Sequence, residues 1–337
     1  MPEFQGEYVP ENGLEYIIAS NLKKNRLATS GSMTTTPMTV AGAGYLNVQP
    51  FWGDLPGVFT DNLTGQTLTF HEIDGGNFSA PILNVENGWT REGVKDAFTM
   101  GDRRVIMEML GKVSNFSIRE INRLSLLISV AATAGANTDE WPTVMDMSDV
   151  GIGLAHRHIT RALGMFGEQQ DEVGTLWVHS DVQVHLDELN LISNQAAYPG
   201  QYMPYGRVGK LTLMVDNTLT PTVIQDDDGN DVNIYPMLLG AGEFFAYGDG
   251  SVAAKVAETD RDVGGDNDKL ATRQRICLHT FGTRYEPVQS NRGATLAEVL
   301  DANNWHSSFE NVETGGYPFR TALIMASLND FEPATAP

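Results

Sequence analysis

The stretch DRRVIMEMLGKVSNFSIREINRLSLLISVAATA, residues 102–134, carries the longest regular pattern in this chain of 337 residues. Val105, Ile106, Met109, Leu110, Val113, Phe116, Ile121, Leu124, Leu127 and Ile128 recur at three- and four-residue spacing, the stripe of an amphipathic helix. Asp102 is placed to cap its first turn, and Glu108 and Lys112 form a favourable i,i+4 pair on the other side. At a rise of 1.5 Å per residue such a helix is about 50 Å long. That is more than an ordinary small domain needs, so the helix is expected to be a structural spine.

Upstream of it, residues 1–48 do not read as a compact unit. A short helical pattern (Leu14, Ile17, Ile18, Leu22) precedes Lys23, Lys24 and Arg26, and SGSMTTTPMTVAGAG, residues 30–44, follows with neither helical nor strand periodicity. Its composition is that of a flexible arm, expected to lie across another chain. Residues 49–96 include PFWGDLPG (50–57), then the alternation Thr67, Leu68, Thr69, Phe70, His71, the turn signal Asp74-Gly75-Gly76-Asn77, a second run from Ala80 to Val85, and Asn87-Gly88. Two such runs around a Gly-rich turn predict a β-hairpin. From Asp54 to Thr90 there is no Lys or Arg, against five acids (Asp54, Asp61, Glu72, Asp74, Glu86). With few large apolar residues of its own, a long hairpin needs a neighbour to pack on.

Downstream, a helix is expected over about 150–166, with Leu154, His158, Ile159, Ala162 and Leu163 on one side. Thr175 to Val178 reads as a short buried strand, and Ser180-Asp181 as the cap of a helix over Val182 to Leu191. Leu211, Leu213 and Val215 alternate with Lys210, Thr212 and Met214, and DDDGND (226–231) is a hairpin turn. Strands follow at Tyr235–Tyr247, Val252–Glu258 and Thr272–Tyr285, then a short helix (Leu296, Val299, Leu300) and an irregular tail. No internal repeat is visible.

Composition narrows the function classes. Asp and Glu number 43 against 22 Lys and Arg, a formal charge of −21. A surface this acidic repels phosphate backbones and argues against a sequence-reading nucleic-acid binder and against an anionic membrane partner. The single cysteine, Cys277, rules out an internal disulfide framework and cysteine-rich zinc sites, which fits a reducing compartment. The N-terminus carries four acids before its first Lys and no apolar core, unlike a signal peptide. The run from Leu124 to Ala136 is shorter than the roughly 20 residues that span a bilayer. A soluble protein is expected.

The seven histidines are His71, His156, His158, His179, His185, His279 and His306. His156 and His158, two apart on a helix, point to different sides, and His179 and His185 are six apart, so surface or core roles are favoured over a metal site. His179-Ser180-Asp181 has triad residue types, but adjacent side chains do not build a triad. There is no nucleophile elbow, phosphate loop or zincin motif, and Gly151-Ile-Gly153 lacks the third glycine of a dinucleotide fingerprint. Asp226 to Asp231 has the oxygen density calcium favours, yet an EF-hand requires a carboxylate where this chain has Met237; a solvated Asp-Gly turn is the better reading, as it is for DRDVGGDND (260–268). No catalytic, cofactor-binding or metal constellation emerges, and no enzyme is expected.

An arm, a core-poor hairpin and a long spine, read together with residues 175–287, resemble the major capsid protein of tailed bacteriophages, the Hong Kong 97-type fold. The matching stretches are TLWVHSDVQVHLDELNLIS (175–193), YGRVGKLTLMVDNTLTPT (205–222), YPMLLGAGEFFAYGDG (235–250) and VAETDRDVGGDNDKLATRQRICLHTFGTRYEP (256–287), about a third of the chain in order and spacing. The resemblance implies an α+β shell subunit: residues 1–48 an N-arm, 49–96 an extended E-loop, 97–145 with 255–295 a P-domain carrying the spine helix, 146–254 an A-domain, and 296–337 a C-terminal segment. It implies many copies of this chain, as pentamers and hexamers, in an icosahedral shell around packaged double-stranded DNA that is enclosed without sequence-specific binding. Separate scaffolding, portal and decoration proteins are possible partners, with assembly in the host cytoplasm and residence in the virion. On the spine, Arg103, Arg119 and Arg123 are expected to face the shell interior or neighbouring acids. An encapsulin-like cellular compartment with protein cargo is the alternative, and a monomeric enzyme the remaining class. The stretch before the E-loop leaves no room for the cleaved scaffolding segment that some members carry.

Some members also weld subunits through an E-loop lysine, which as a nucleophile must be made neutral by burial. Pro50 to Thr90 contains no lysine; the nearest are Lys24 and Lys95. Cohesion is therefore expected to be non-covalent, and shells of this charge to be less stable at low ionic strength than at moderate salt. Mature particles boiled in denaturant and reductant should run as one band near 36.8 kDa; a ladder of pentamer- and hexamer-sized bands, or an N-terminally shortened band, would contradict this.

Overall fold

The computed structural model describes residues 26–35, 45–52, 75–92, 103–148, 150–193, 207–249, 257–262, 267–288, 293–310, 312 and 317–330. In chain order the helices are α1 (Arg26–Thr29), α2 (Arg103–Gly135), α3 (His156–Gly164), α4 (Ser180–Glu188) and α5 (Leu296–Val299). The strands are β1 (Met33–Thr35), β2 (Leu46–Trp52), β3 (Gly75–Glu92), β4 (Val144–Asp146), β5 (Val173–Val178), β6 (Ile192–Ser193), β7 (Arg207–Val208), β8 (Leu211–Val215), β9 (Thr222–Gln225), β10 (Asp231–Ala241), β11 (Phe245–Asp249), β12 (Ala257–Asp262), β13 (Asn267–Thr280), β14 (Thr283–Tyr285), β15 (Trp305–Ser307) and β16 (Thr321–Ala326).

These strands form two sheets. The first has the order β1-β11-β13-β3-β14-β15, with β12 also on β13 and β2 also on β3. The second has the order β4-β16-β10-β5-β8-β7-β6, with β9 on the outer half of β10. The spine, α2, packs against β13, β14 and β15 of the first sheet and β16 of the second. Ile121, Leu124, Leu126, Ile128, Ala131 and Ala132 on α2 share one core with Leu83, Phe245, Ile276, Leu278 and Trp305 of the first sheet and Trp177, Met214, Leu238 and Leu323 of the second. The opposite face of the second sheet holds a separate core, in which Leu176, Val178, Met237, Leu239, Ala322 and Ile324 meet Ile159 and Ala162 of α3 and Val182 and Leu186 of α4. Neighbouring residues of β5, β10 and β16 thus alternate between two cores, as the two-residue period of a strand requires.

The spine helix has the length of its sequence pattern, displaced by one residue, and is buried on a wider arc. Beside the expected Val113, Ile121, Leu124 and Ile128, the hydroxyl residues Ser114, Ser117, Ser125, Ser129 and Thr133 are buried, whereas Phe116 and Leu127 are only partly so. Small side chains let a helix lie close to two sheets at once, and several of their hydroxyls are bonded across the contact. Thr280 Oγ1, at the end of β13, donates to Ser129 Oγ at 3.4 Å, and Thr133 Oγ1 meets Thr321 Oγ1 of β16 at 2.8 Å. One turn of α2 is therefore tied to both sheets.

Several expectations are corrected. Within the arm, Arg26–Thr35 belongs to this chain's own core: Leu27 is fully buried and β1 runs parallel to β11. Residues 1–25 and 36–44, with Leu14, Ile17, Ile18 and Leu22, lie outside the described residues, as do Asp102 and the first run of the expected hairpin. The turn placed at Asp74–Asn77 is strand from Gly75 on, paired with Phe51 and Trp52. A Cβ on Gly76 would sit 2.6 Å from the Phe51 ring, so the glycine admits an aromatic rather than making a turn. Nor does β3 lack a core, since Ser79 to Leu83 are buried and Ile82–Glu92 pairs along β13. The helix expected from about 150 begins at His156, because Gly153 N–H is held by Asp330 Oδ1 and Leu154 N–H by Ser327 O. The run Tyr235–Tyr247 is split at Gly242 (φ 50°), where the chain passes from the second sheet to the first. Asp260–Asp262 is strand β12, not loop, and Thr321–Ala326, read as irregular, is a buried strand between β4 and β10.

Two glycines of the spine give a paired test. A Cβ on Gly135 would lie 2.1 Å from the Ala302 carbonyl oxygen and 2.6 Å from that of Trp305, whereas one on Gly111 meets nothing within 4 Å. Gly135→Ala should destabilise the fold by about 1–3 kcal/mol, and Gly111→Ala should stabilise it by about 0.5–1 kcal/mol. Urea unfolding of both variants checks this; equal effects would contradict the packing described.

Candidate assembly surfaces

The three arginines singled out on the spine have different surroundings. Arg103 is the first residue of α2, about 24 Å along the axis from Arg119. Arg119 and Arg123 flank Glu120, with Nε–Oε contacts of 3.6 and 2.9 Å, and the Arg119 guanidinium lies 5.4 Å from the centre of the Phe116 ring. Phe116 in turn meets Trp89 of β3 edge-on at 5.3 Å. Arg119 and Arg123 are thus brought together on a carboxylate of their own helix.

At the end of β2 the strand period sends Phe51 inward and Trp52 outward. Phe51 stacks on Phe78 at 4.2 Å, and Phe78 leads through Phe309 to Phe319 and Tyr317, an aromatic seam at the edge of the second core. Trp52 is 78% exposed, the most exposed large apolar side chain among the described residues. Its signal in the sequence was the pair Phe51-Trp52 itself: on a strand, one of two adjacent aromatics must face out.

The histidines and the cysteine take structural places. His156 is exposed and His158 buried, on different sides of α3. His179, rather than Ser180-Asp181, caps α4: its Nδ1 accepts from Asp181 N–H at 3.2 Å. Asp181 instead accepts from the Tyr235 hydroxyl at 2.9 Å, which together with burial raises that phenol. His185 meets Leu154 O at 3.1 Å. Among the described residues no group of three His, Cys, Asp or Glu converges on a metal position. Cys277 is buried beside Asn47, which donates to its Sγ at 3.6 Å, and burial pushes the thiol up to about 11.

The Asp226–Asp231 turn forms as expected, Asp226 Oδ1 accepting from Asn230 N–H at 2.7 Å. It borders a cleft of about 360 Å³ between the β9–β10 ribbon and the segment after β16, lined by Asp226, Asn230, Asp231, Asn233, Asn329 and Asp330 among others. Across α3, Arg157 and Arg161 are exposed one helical turn apart. The sequence signal for both was their i,i+4 spacing in a chain of charge −21.

Against known proteins, no protein-family model matches this chain. No curated protein matches it either. Solved structures do. The chain has the fold of the capsid of Ralstonia phage GP4, with a TM-score of 0.53 at 11% identity over 92% of this chain and 89% of that one. The capsid asymmetric unit of Cyanophage Pam1 is similar at 8% identity, 91% and 93% coverage and a TM-score of 0.49. So is the acidic stable capsid of Helicobacter pylori bacteriophage KHP30, at 8% identity, 88% and 89% coverage and 0.49. The α+β fold class expected from the sequence is the observed one, and it is a phage-capsid fold.

The aromatic seam yields a prediction about acid. His279 is fully buried beside Phe78 and Phe281, with Nε2 3.2 Å from Thr283 O, and burial lowers its pKa to about 4. The folded chain therefore refuses a proton that the unfolded chain accepts near its ordinary value of 6.5. Stability is intact above that value and falls as pH drops towards 4, by about 3 kcal/mol from this group. Urea titrations at stepped pH should show a shallower loss between pH 6.5 and 4 for His279→Gln than for the parent; equal slopes would contradict the assignment.

Proposed function

We propose that this chain is the major capsid protein of a tailed bacteriophage. Many copies, as pentamers and hexamers, close into an icosahedral shell around packaged double-stranded DNA. The observation that carries this reading is the fold shared with the Ralstonia phage GP4 capsid over nearly the whole of both chains. The chain's own physics supports it. The exposed Trp52 offers a large apolar anchor of the kind that subunit contacts use. Closed shells from one chain follow from symmetry. In this reading residues 1–48 act as an N-arm, 49–96 as an E-loop, 97–145 with 255–295 as the P-domain, 146–254 as the A-domain and 296–337 as a C-terminal segment. The shell is assembled in the host cytoplasm, and the subunit's role is structural rather than enzymatic. An acidic wall suits DNA that a separate motor drives in, since no attraction to the genome is required of it. Scaffolding, portal and decoration proteins are separate chains in the same reading.

Negative-stain microscopy of the purified protein tests this: hollow particles of uniform size are expected, and a monomer under all assembly conditions would overturn it. Nuclease-protected DNA in particles from infected cells is the expected content; protein cargo would favour an encapsulin-like compartment.

A further inference from the structure

The −21 charge makes most of this surface repel its copies, yet α3 presents a cationic face. His156, Arg157 and Arg161 are all exposed, and no described carboxylate pairs with either guanidinium. Arg157 Nε lies 3.1 Å from Nε2 of the buried His158, while Ala155 N–H lies 3.1 Å from Nδ1 of the same ring. Burial first, then Arg157 and Arg161, lower the His158 pKa, so the ring is neutral. A neutral imidazole has one acceptor nitrogen and cannot serve both donors. Even with Nε on the ring, the other N–H donors of the exposed Arg157 guanidinium are open to an acceptor from elsewhere.

The same chain carries a complementary hollow. The cleft beside β10 is lined by three carboxylates (Asp226, Asp231, Asp330) and by the amide side chains of Asn230, Asn233 and Asn329, and no residue of α3 lines it. Asp226 and Asp330 are anchored, accepting from Asn230 N–H and Gly153 N–H at 2.7 Å each, and Asp231 is exposed. These carboxylates do not converge on a point, as a metal ion would require. They are spread around a concavity, which suits guanidinium groups carried on a rigid helix.

Resting on the capsid reading, we propose that the His156–Arg157–Arg161 face of α3 docks into the Asp226–Asp231–Asp330 cleft of a second copy of this chain. Charge complementarity points to a copy of this chain: among identical subunits every neighbour brings the acidic cleft. The contact sets register between subunits, with the convex helix of one entering the hollow of the next.

Charge reversal in the full chain tests this. Arg157→Glu/Arg161→Glu, and separately Asp226→Asn/Asp231→Arg/Asp330→Asn, should each lower particle yield at least about tenfold at moderate salt: the first sets two carboxylates against three, and the second gives both faces a net positive charge. Circular dichroism and thermal unfolding of each variant must match the parent. The two arginines and Asp231 are exposed, and an asparagine Oδ1 at 226 and at 330 can still accept from Asn230 N–H and Gly153 N–H, so the fold is expected to survive. Combining the two sets places two carboxylates on the helix against a net positive cleft and should recover particles. Parent-like assembly of the single-face variants, or no recovery in the combined variant, overturns the contact. So do variant particles that form normally but fail to retain DNA, which would assign the arginines to nucleic acid. A parent chain that forms no particles overturns the capsid reading and the contact with it.

Discussion

Burial of the spine helix between two sheets is the constraint on which the remaining structure depends. Helix α2 contributes to one core together with β13 and β3 on one side and β5, β10 and β16 on the other. A helix buried on a single stripe would need a narrow apolar face; this one is buried over a wide arc and uses Ser125, Ser129 and Thr133 where two sheets approach closely. Gly135 ends it against the carbonyls of Ala302 and Trp305, which fixes the register of the C-terminal segment and so of β15 and β16. With β16 in place, β10 has partners on both sides and the second sheet can bury both faces.

How much of this was legible depends on how local the signal was. The spine repeats its period over many turns, and its observed limits agree with the pattern to within a residue. The Asp-Gly turn at 226–231 and the strand at 175–178 carry their own short-range chemistry and form where expected. What was illegible is non-local. Thr321–Ala326 is a continuous apolar run because both its faces are buried, so it has no alternation to read. Gly75 and Gly76 resemble a turn in sequence and become strand only because Phe51 packs over them. The arm's polar composition conceals Leu27 and Met33, both buried in the chain's own core, which with the β1–β11 pairing dock Arg26–Thr35 there.

The candidate surfaces follow the same division. Arg119 and Arg123 were visible on the helix, but the shared partner Glu120 lies between them on the same face and needs no second chain. The arginines of α3 were not singled out in the sequence, where only their i,i+4 spacing marks them. Their meaning depends on a cleft built from the β9–β10 ribbon and the end of β16, far apart in sequence. Among the described residues the chain has two cores of its own and charged or aromatic groups such as Arg157, Arg161 and Trp52 on its surface, the combination that the proposed shell reading calls for.

The proposed division, a self-sufficient core with surfaces completed by copies, is measured most directly by hydrogen exchange on the free subunit and on the assembled particle. Amides of the spine from Val113 to Thr133 and of β5, β10 and β16 should be equally slow in both states. Amides around Trp52, of α3 and of the β9–β10 turn should slow only on assembly. Equal protection of these outer segments in both states would contradict the account.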